Sequence, residues 1–390
     1  MRFLLKISIL ICIIACNGQK ENSKKTKEVI NIEDNSNATI TLPEISSNQN
    51  FSTELIISDV SIPWGITFLP DNSILYTEKK GEFIHFKNGK KYHVTGVPEV
   101  YNSGQGGLLD ITPHPNFEKN NWIYFTYAST AGNSEGGNTA IARAKLLNNS
   151  LSNLEVLYKA SPNTQKGQHF GSRLVFDGNN HIYFSAGERG ERTVNPQDIT
   201  RDNGKVYRLN EDGSIPADNP FVDQENAKKA IYSYGHRNPQ GMILNTETNE
   251  IWIHEHGPKG GDEINNIKAG ANYGWPVVTY GENYDGTPIT SERSKPEFED
   301  PLYYWLPSIA PSGFEYATSD KYPDLKGNLL VGSLKFQYLE LLKLEKNKVV
   351  KREKLLEGIG RVRDVAQAPD GNIYIAVEGK GIFKLIKNNN

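Results

Sequence analysis

The chain has 390 residues, 37% hydrophobic and 23% charged, enough apolar material for a large core and unlike an intrinsically disordered protein. Its 43 basic and 46 acidic residues give a formal charge of -3 at pH 7. With no net positive field, no nucleic-acid partner is expected, and any anion site must come from local clustering of cations.

At the N-terminus, MRFLLKISILICIIACNGQK sets Arg2 and Lys6 ahead of an apolar run from Ile7 to Ala15. That run is too short for a comfortable membrane span and reads as an export signal over residues 1–16. Ile13-Ile14-Ala15-Cys16 resembles a bacterial lipobox. Cleavage there would leave Cys16 lipid-modified and membrane-tethered, giving an exported, periplasmic or cell-envelope lipoprotein; the alternative is an ordinary signal peptide with an incidental cysteine. Cys12 would leave with the signal, so the mature chain could form no disulfide. Residues 17–50, rich in Asn, Ser, Lys and Glu, cannot bury enough apolar surface to offset ordering and read as a flexible polar tether.

From Phe51 onward short strand-like runs recur with turn signals between them, and helical periodicity is almost absent. Four segments are self-similar: WGITFLPDNSILYTE from Trp64, LLDITPHPNFEKNNWIYFTYA from Leu108, SRLVFDGNNHIYFSAGE from Ser172 and RDVAQAPDGNIYIAVEG from Arg363. Two less regular copies begin at Pro239 and Ser312. Six units at roughly 55 residues each suit four-stranded antiparallel blades around an axis, so residues 51–390 are predicted to form an all-β, six-bladed propeller. Phe51 to Val60 is expected to supply the outer strand of the last blade and close the ring. A β-sandwich or a two-domain β protein is the competing architecture.

In such a ring the first strand of each blade lines the channel. Just before or at those strands stand Pro63-Trp64, Gln105, Gln168-His169, Arg237-Asn238, Pro311-Ser312 and Arg361 with Arg363. A structural repeat alone does not require polar groups at one phase. Imidazole titrates near neutrality, so His169 suits a general base. Arg237, Arg361, Arg363 and Lys335 either pair with acids, Asp364 and Glu378 being candidates, or converge on a polycarboxylate or phosphate. The loop HGPKGGDEIN offers main-chain carbonyls and two carboxylates, hard ligands that suit Ca²⁺, or else it is an acidic turn without a metal.

These motifs resemble, in order, those of the soluble glucose/sorbosone dehydrogenase family, specifically its aldose sugar dehydrogenases that use pyrroloquinoline quinone (PQQ). The resemblance runs from about Ile62 to the C-terminus and is carried by PWGITFLPD, GQGGLLDITPHPNF, HFGSRLVFD, GHRNPQG, HGPKGGDEIN, NYGWP, IAPSG, GSLK and GRVRDV. It implies that Gln105, Arg237, Asn238, Lys335, Arg361 and Arg363 contact the cofactor. It also implies that main-chain oxygens of Gly257 and Pro258 hold the cofactor's Ca²⁺, and that Glu263 and the Tyr273 carbonyl hold a second, structural Ca²⁺, with a further ion near Tyr284. The implied reaction is oxidation of an aldose at C1 to an aldonolactone, with His169 as base and Arg237 stabilising charge on the quinone; the sequence names no electron acceptor. Gln168 stands where glucose-specialised members carry an acidic residue, which argues against narrow glucose specificity. A Ca²⁺-dependent lactonase and a non-catalytic propeller binding a partner or glycan are the alternatives.

Overall fold

Runs of Ile, Val, Tyr and Phe separated by turn residues pair with their neighbours in chain order, giving six antiparallel sheets arranged as a six-bladed propeller. The computed structural model describes residues 42–388. The expected signal and most of the expected tether lie outside the described residues. Blades one to five span residues 63–94, 108–159, 174–234, 239–305 and 311–355, and blade six combines residues 362–387 with Phe51–Ile57.

Ring closure follows the sequence expectation: Phe51–Ile57 pairs antiparallel with Gly381–Lys387 as the outer strand of blade six. The tether ends earlier than expected. Ile45–Asn48 adds a short fifth strand to blade five, parallel to Lys348–Leu355, with Asn48 Nδ2 donating to Glu353 Oε2 at 2.6 Å. A four-residue edge strand with one apolar residue carries too little pattern to be read from sequence.

Apolar faces of adjacent blades pack on each other. Between blades one and two, for example, Leu75 and Phe83 meet Ile123 and Phe125, the two phenylalanine rings edge-to-face at 5.0 Å. At the axis the six inner strands are joined by one buried arginine. Arg173 lies between Asp110 at 2.9 Å and Asp364 at 3.1 Å, donates to the carbonyls of Gln240, Trp64 and Arg363, and packs 4.3 Å from the Trp64 ring. Asp364 also accepts the Ile66 N–H, and Ser312 Oγ donates to the Arg363 carbonyl, so every blade contributes to the hub.

Strand direction fixes what each end of the channel presents. Inner strands begin at one face, here called upper, and the connections between blades lie there together with the hairpins joining second to third strands.

Candidate active site

A cavity of about 740 Å³ opens on the upper face. Four inter-blade connections and four hairpins contribute to its lining, which includes Gln105, Gln240, His256, Pro258, Tyr284, Lys335, Arg361, Arg363 and Glu378. Six of the residues expected at the site, Gln105, Pro258, Tyr284, Lys335, Arg361 and Arg363, therefore meet on one wall system. Lys79 and Lys259 add two cations that the sequence did not single out. Glu378 pairs with both Arg361, at 2.7 Å, and Arg363. It is the counter-ion anticipated for that pair, whereas Asp364 serves the Arg173 hub instead. Burial alone would raise the Glu378 carboxyl pKa, but Arg363 and Arg361 hold it below the usual value. Lys335 is exposed and has no carboxylate partner among the described residues, so positive charge remains in excess.

His169 stands beside this cavity on the connection into blade three. Its backbone is in the left-handed region, φ 57°, which costs a non-glycine residue energy and persists only where surroundings fix it. Three contacts do so. The His169 N–H donates to Gln105 Oε1 at 2.8 Å, the Gln105 N–H donates to the Gly167 carbonyl at 2.6 Å, and Nδ1 hydrogen-bonds Glu188 Oε1. A Cβ at Gly104, φ 58°, would lie 2.2 Å from the Gly167 oxygen, so only glycine lets the two connections pack this closely. Burial pushes the His169 pKa below its ordinary value; Glu188 opposes that shift, and Arg237 and Arg189 reinforce it. In the neutral imidazole, an Nδ1–H directed at the buried Glu188 carboxylate leaves the Nε2 lone pair available.

Arg237 and Asn238 lead into the inner strand of blade four. Arg237 packs against the Trp275 ring and donates through Nη1 to the carbonyls of His256, 3.0 Å, and Gly257, 2.8 Å. Its N–H donates to Glu255 Oε2 at 2.7 Å. Asn238 is fully buried; Oδ1 accepts the Gly171 N–H while Nδ2 has no partner. Nearby, the equally buried Gln240 has an unpartnered Oε1 at the cavity. Unsatisfied buried amides cost free energy unless something outside the protein meets them.

The Gly-rich loop behind Arg237 divides its two carboxylates. Asp262 is consumed internally: Oδ1 accepts the Gly257 N–H, and Oδ2 accepts Ser308 Oγ–H and the N–H groups of Ile309 and Ala310. Glu263 instead lines a small cavity of about 10 Å³ with Glu255, Gly257 and Tyr273, room for roughly one water-sized sphere. Burial and the neighbouring Glu255 push the Glu263 carboxyl pKa well up. Tyr284 stands apart from this cavity, 76% exposed at the lip of the larger one. Among the described residues no cluster of three or more His, Cys, Asp or Glu side chains is placed to hold a metal.

The residue missed in sequence that matters most is Glu188, and a repeat signal points to it. Four second strands end on or lead directly into a glutamate: Glu78, Glu188, Glu255 and Glu378. Each grips the connection entering its own blade. Glu78 accepts the Ser61 and Ile62 N–H groups, Glu188 holds His169, Glu255 holds His236 and Arg237, and Glu378 holds Arg361 and Arg363.

Residues 60–386 match the family described as Glucose / Sorbosone dehydrogenase. The chain belongs to that family. It is similar to the aldose sugar dehydrogenase YliI of Escherichia coli (strain K12), 37% identical over 335 residues covering 84% of this chain and 90% of that protein. It is also similar to quinoprotein glucose dehydrogenase B of Acinetobacter calcoaceticus, at 30% identity over 86% and 87% of the two chains. Among solved structures, the PQQ-bound form of an aldose sugar dehydrogenase from Streptomyces coelicolor superposes with TM-score 0.70 at 26% identity, covering 87% of this chain and 99% of that one. The chain is thus a member of a sugar-oxidising enzyme family. Its cavity and braced histidine lie at the connections that open the propeller's inner strands.

Proposed function

We propose that the protein is a quinoprotein that oxidises aldoses at C1 to aldonolactones, using PQQ and Ca²⁺. The observation that carries this reading is His169 braced by Glu188 beside a cavity whose rim carries more cations than acids. PQQ is a planar tricarboxylate, and the donor set fits it: Lys335, Arg361 and Arg363 offer charge, and the orphaned Asn238 Nδ2 a buried donor. The Ca²⁺ reading fits as well. Gly257 and Pro258 offer main-chain oxygens in a Gly-rich turn, and the Glu255–Glu263 pair with Tyr273 encloses space for one small cation. The Gly257 carbonyl already accepts from Arg237, so its second lone pair would serve the ion.

When bound, PQQ would supply an ortho-quinone as acceptor for the C1 hydride of the sugar and its electron pair. The protein's own groups handle the proton and the positioning. His169 Nε2 accepts the C1 hydroxyl proton, and the buried Glu188 carboxylate at Nδ1 stabilises the imidazolium that results. Gln105 fixes the His169 backbone, a role added to the cofactor contact expected of it. Arg237 and Asn238 would hold the quinone end of the cofactor, where the Arg237 guanidinium would stabilise negative charge. Gln168 in place of an acidic residue suits a broad range of aldoses. An exported lipoprotein anchored at Cys16, passing electrons to an acceptor yet to be identified, completes the reading.

The test is reconstitution. Purified apoprotein given PQQ, Ca²⁺ and a redox dye should reduce the dye with aldoses, and omission of PQQ should abolish the signal. No reduction across a panel of aldoses and related alcohols would overturn the reading and favour a non-catalytic propeller.

A further inference from the structure

The residue after Glu188 is unusual in its own right. Arg189 is completely buried, yet the acceptors it meets are three carbonyls and one hydroxyl rather than carboxylates. Its Nη1 donates to the Gln168 carbonyl; Nη2 donates to the carbonyls of Lys166, 2.6 Å, and Gly137, 3.3 Å, and to Thr164 Oγ1, 3.2 Å. Its guanidinium carbon lies 3.5 Å from the centre of the buried Phe170 ring. Nε is buried without a partner, and the backbone is left-handed, φ 60°. Burying a cation without an ion pair is expensive, and a left-handed arginine adds to that cost. A surface or packing role does not call for such an arrangement.

The contacts give it a purpose. All but the Gly137 carbonyl belong to the connection 164–170, the segment that carries His169. Adjacent residues on one hairpin thus grip adjacent residues on one connection: Glu188 takes the His169 ring and Arg189 the Gln168 carbonyl, with the Phe170 ring below. From the other side Gln105 holds Gly167 and the His169 N–H. Lys166 closes the grip in reverse, donating to the Gly190 carbonyl at 2.9 Å and to Glu191 at 2.5 Å.

We propose that Arg189 is a positioning residue for the catalytic base, holding the strained 164–170 connection so that His169 stays in its left-handed, Glu188-bound geometry. The inference rests on the assignment of His169 as base. Arg189 also acts through charge, since it is one of the cations, with Arg237, that push the His169 pKa down against Glu188; burial is the largest cause. His256, part-buried in the same region, is itself pushed well down by burial and lies close enough to His169 to feel its charge.

Two variants test this, Arg189→Met and Arg189→Lys. In Arg189→Met, kcat should fall roughly ten- to a hundredfold, as expected for a slightly misplaced catalytic group, while the PQQ dissociation constant stays within about twofold. The His169 imidazole, followed by NMR in the apoprotein, should titrate at higher pH than in the parent, because a nearby cation is gone. Arg189→Lys should restore the titration and only part of kcat, since one ammonium cannot reproduce the fork of contacts. Parent-like kcat and an unmoved His169 titration in Arg189→Met would overturn the inference. If Arg189→Met does not fold, Arg189→Lys decides alone: reduced kcat at unchanged PQQ affinity supports the role, and full kcat contradicts it. An inactive or PQQ-free parent would instead count against the proposed function and leave the apoprotein titration as the reading for Arg189.

Discussion

The two mouths of the propeller channel are built from the same six inner strands yet are chemically opposite. Strand starts and their connections form the upper cavity, about 740 Å³, with Lys79, Lys335, Arg361 and Arg363 against Glu378, while Lys259 at the rim pairs with Glu282 at 2.6 Å. Strand ends form the lower one, about 260 Å³, with Asp110, Glu315 and Asp364 around Arg173. The difference lies less in the sign of the charge than in how it is satisfied. Below, every acid is answered within the protein: Asp110 and Asp364 by Arg173 and by the Leu174 and Ile66 N–H groups, Glu315 by the Gln367 N–H. Above, cations exceed acids, and the buried amides of Asn238 and Gln240 are left with an open donor and an open acceptor. The lower mouth is a closed electrostatic joint, and the upper one is a joint left open for a ligand.

The contrast is broken most severely at the hub. Arg173→Met strands Asp110 and Asp364 in the core, and stability should fall by about 3–5 kcal/mol, measured by denaturant unfolding. His169→Gln should leave the fold and PQQ binding nearly intact but lower turnover roughly 10²- to 10⁴-fold in the dye assay, the range for loss of a general base. Because burial lowers the His169 pKa, its base form persists below pH 6.5, and kcat/KM should begin to fall only at more acidic pH than an ordinary histidine would give. Glu378→Gln removes the counter-ion of Arg361 and Arg363. The apoprotein should lose about 1–3 kcal/mol, as for a broken charged hydrogen bond, and added PQQ should raise the melting temperature more in the variant than in the parent.

The smallest effect belongs to the lower mouth. Burial raises the Glu315 carboxyl pKa from 4.5 to about 8, so the folded state holds its proton more tightly than the unfolded chain. That contribution is fully present below pH 4.5 and is lost as pH rises through about 8. Glu315→Gln should therefore flatten the decline of stability over that window, by less than about 1 kcal/mol because the mouth is partly open to water.

Much of this was legible in the sequence. The strand–turn–strand repeat gave six blades, and the phase just before each inner strand located Gln105, His169, Arg237, Asn238 and Arg361 at the upper mouth. Lys335 arrives differently, on the hairpin after the second strand of blade five. That hairpin phase also supplies Lys79, Glu188 and Arg189, which is why reading the connections alone missed them, and Glu378, which was expected only as a counter-ion of the arginines. Partner choice was harder to read, because it depends on ring closure. Asp364 follows Arg363 in sequence yet faces the axis and Arg173, whereas Glu378, fifteen residues after Arg363, reaches back to it. The two carboxylates of the Gly-rich loop looked equivalent until strand alternation sent Asp262 to brace residues 308–310 and Glu263 into the small cavity.

The central claim, that the upper mouth binds an anionic quinone, is tested most directly by calorimetric titration of PQQ into apoprotein with Ca²⁺ present. The parent should saturate at one PQQ per chain. A variant combining Lys335→Met and Arg361→Met, both at exposed positions, should lose most of that affinity, and Glu315→Gln at the lower mouth should lose none. Undiminished binding in the double variant, or equal loss in Glu315→Gln, would contradict it.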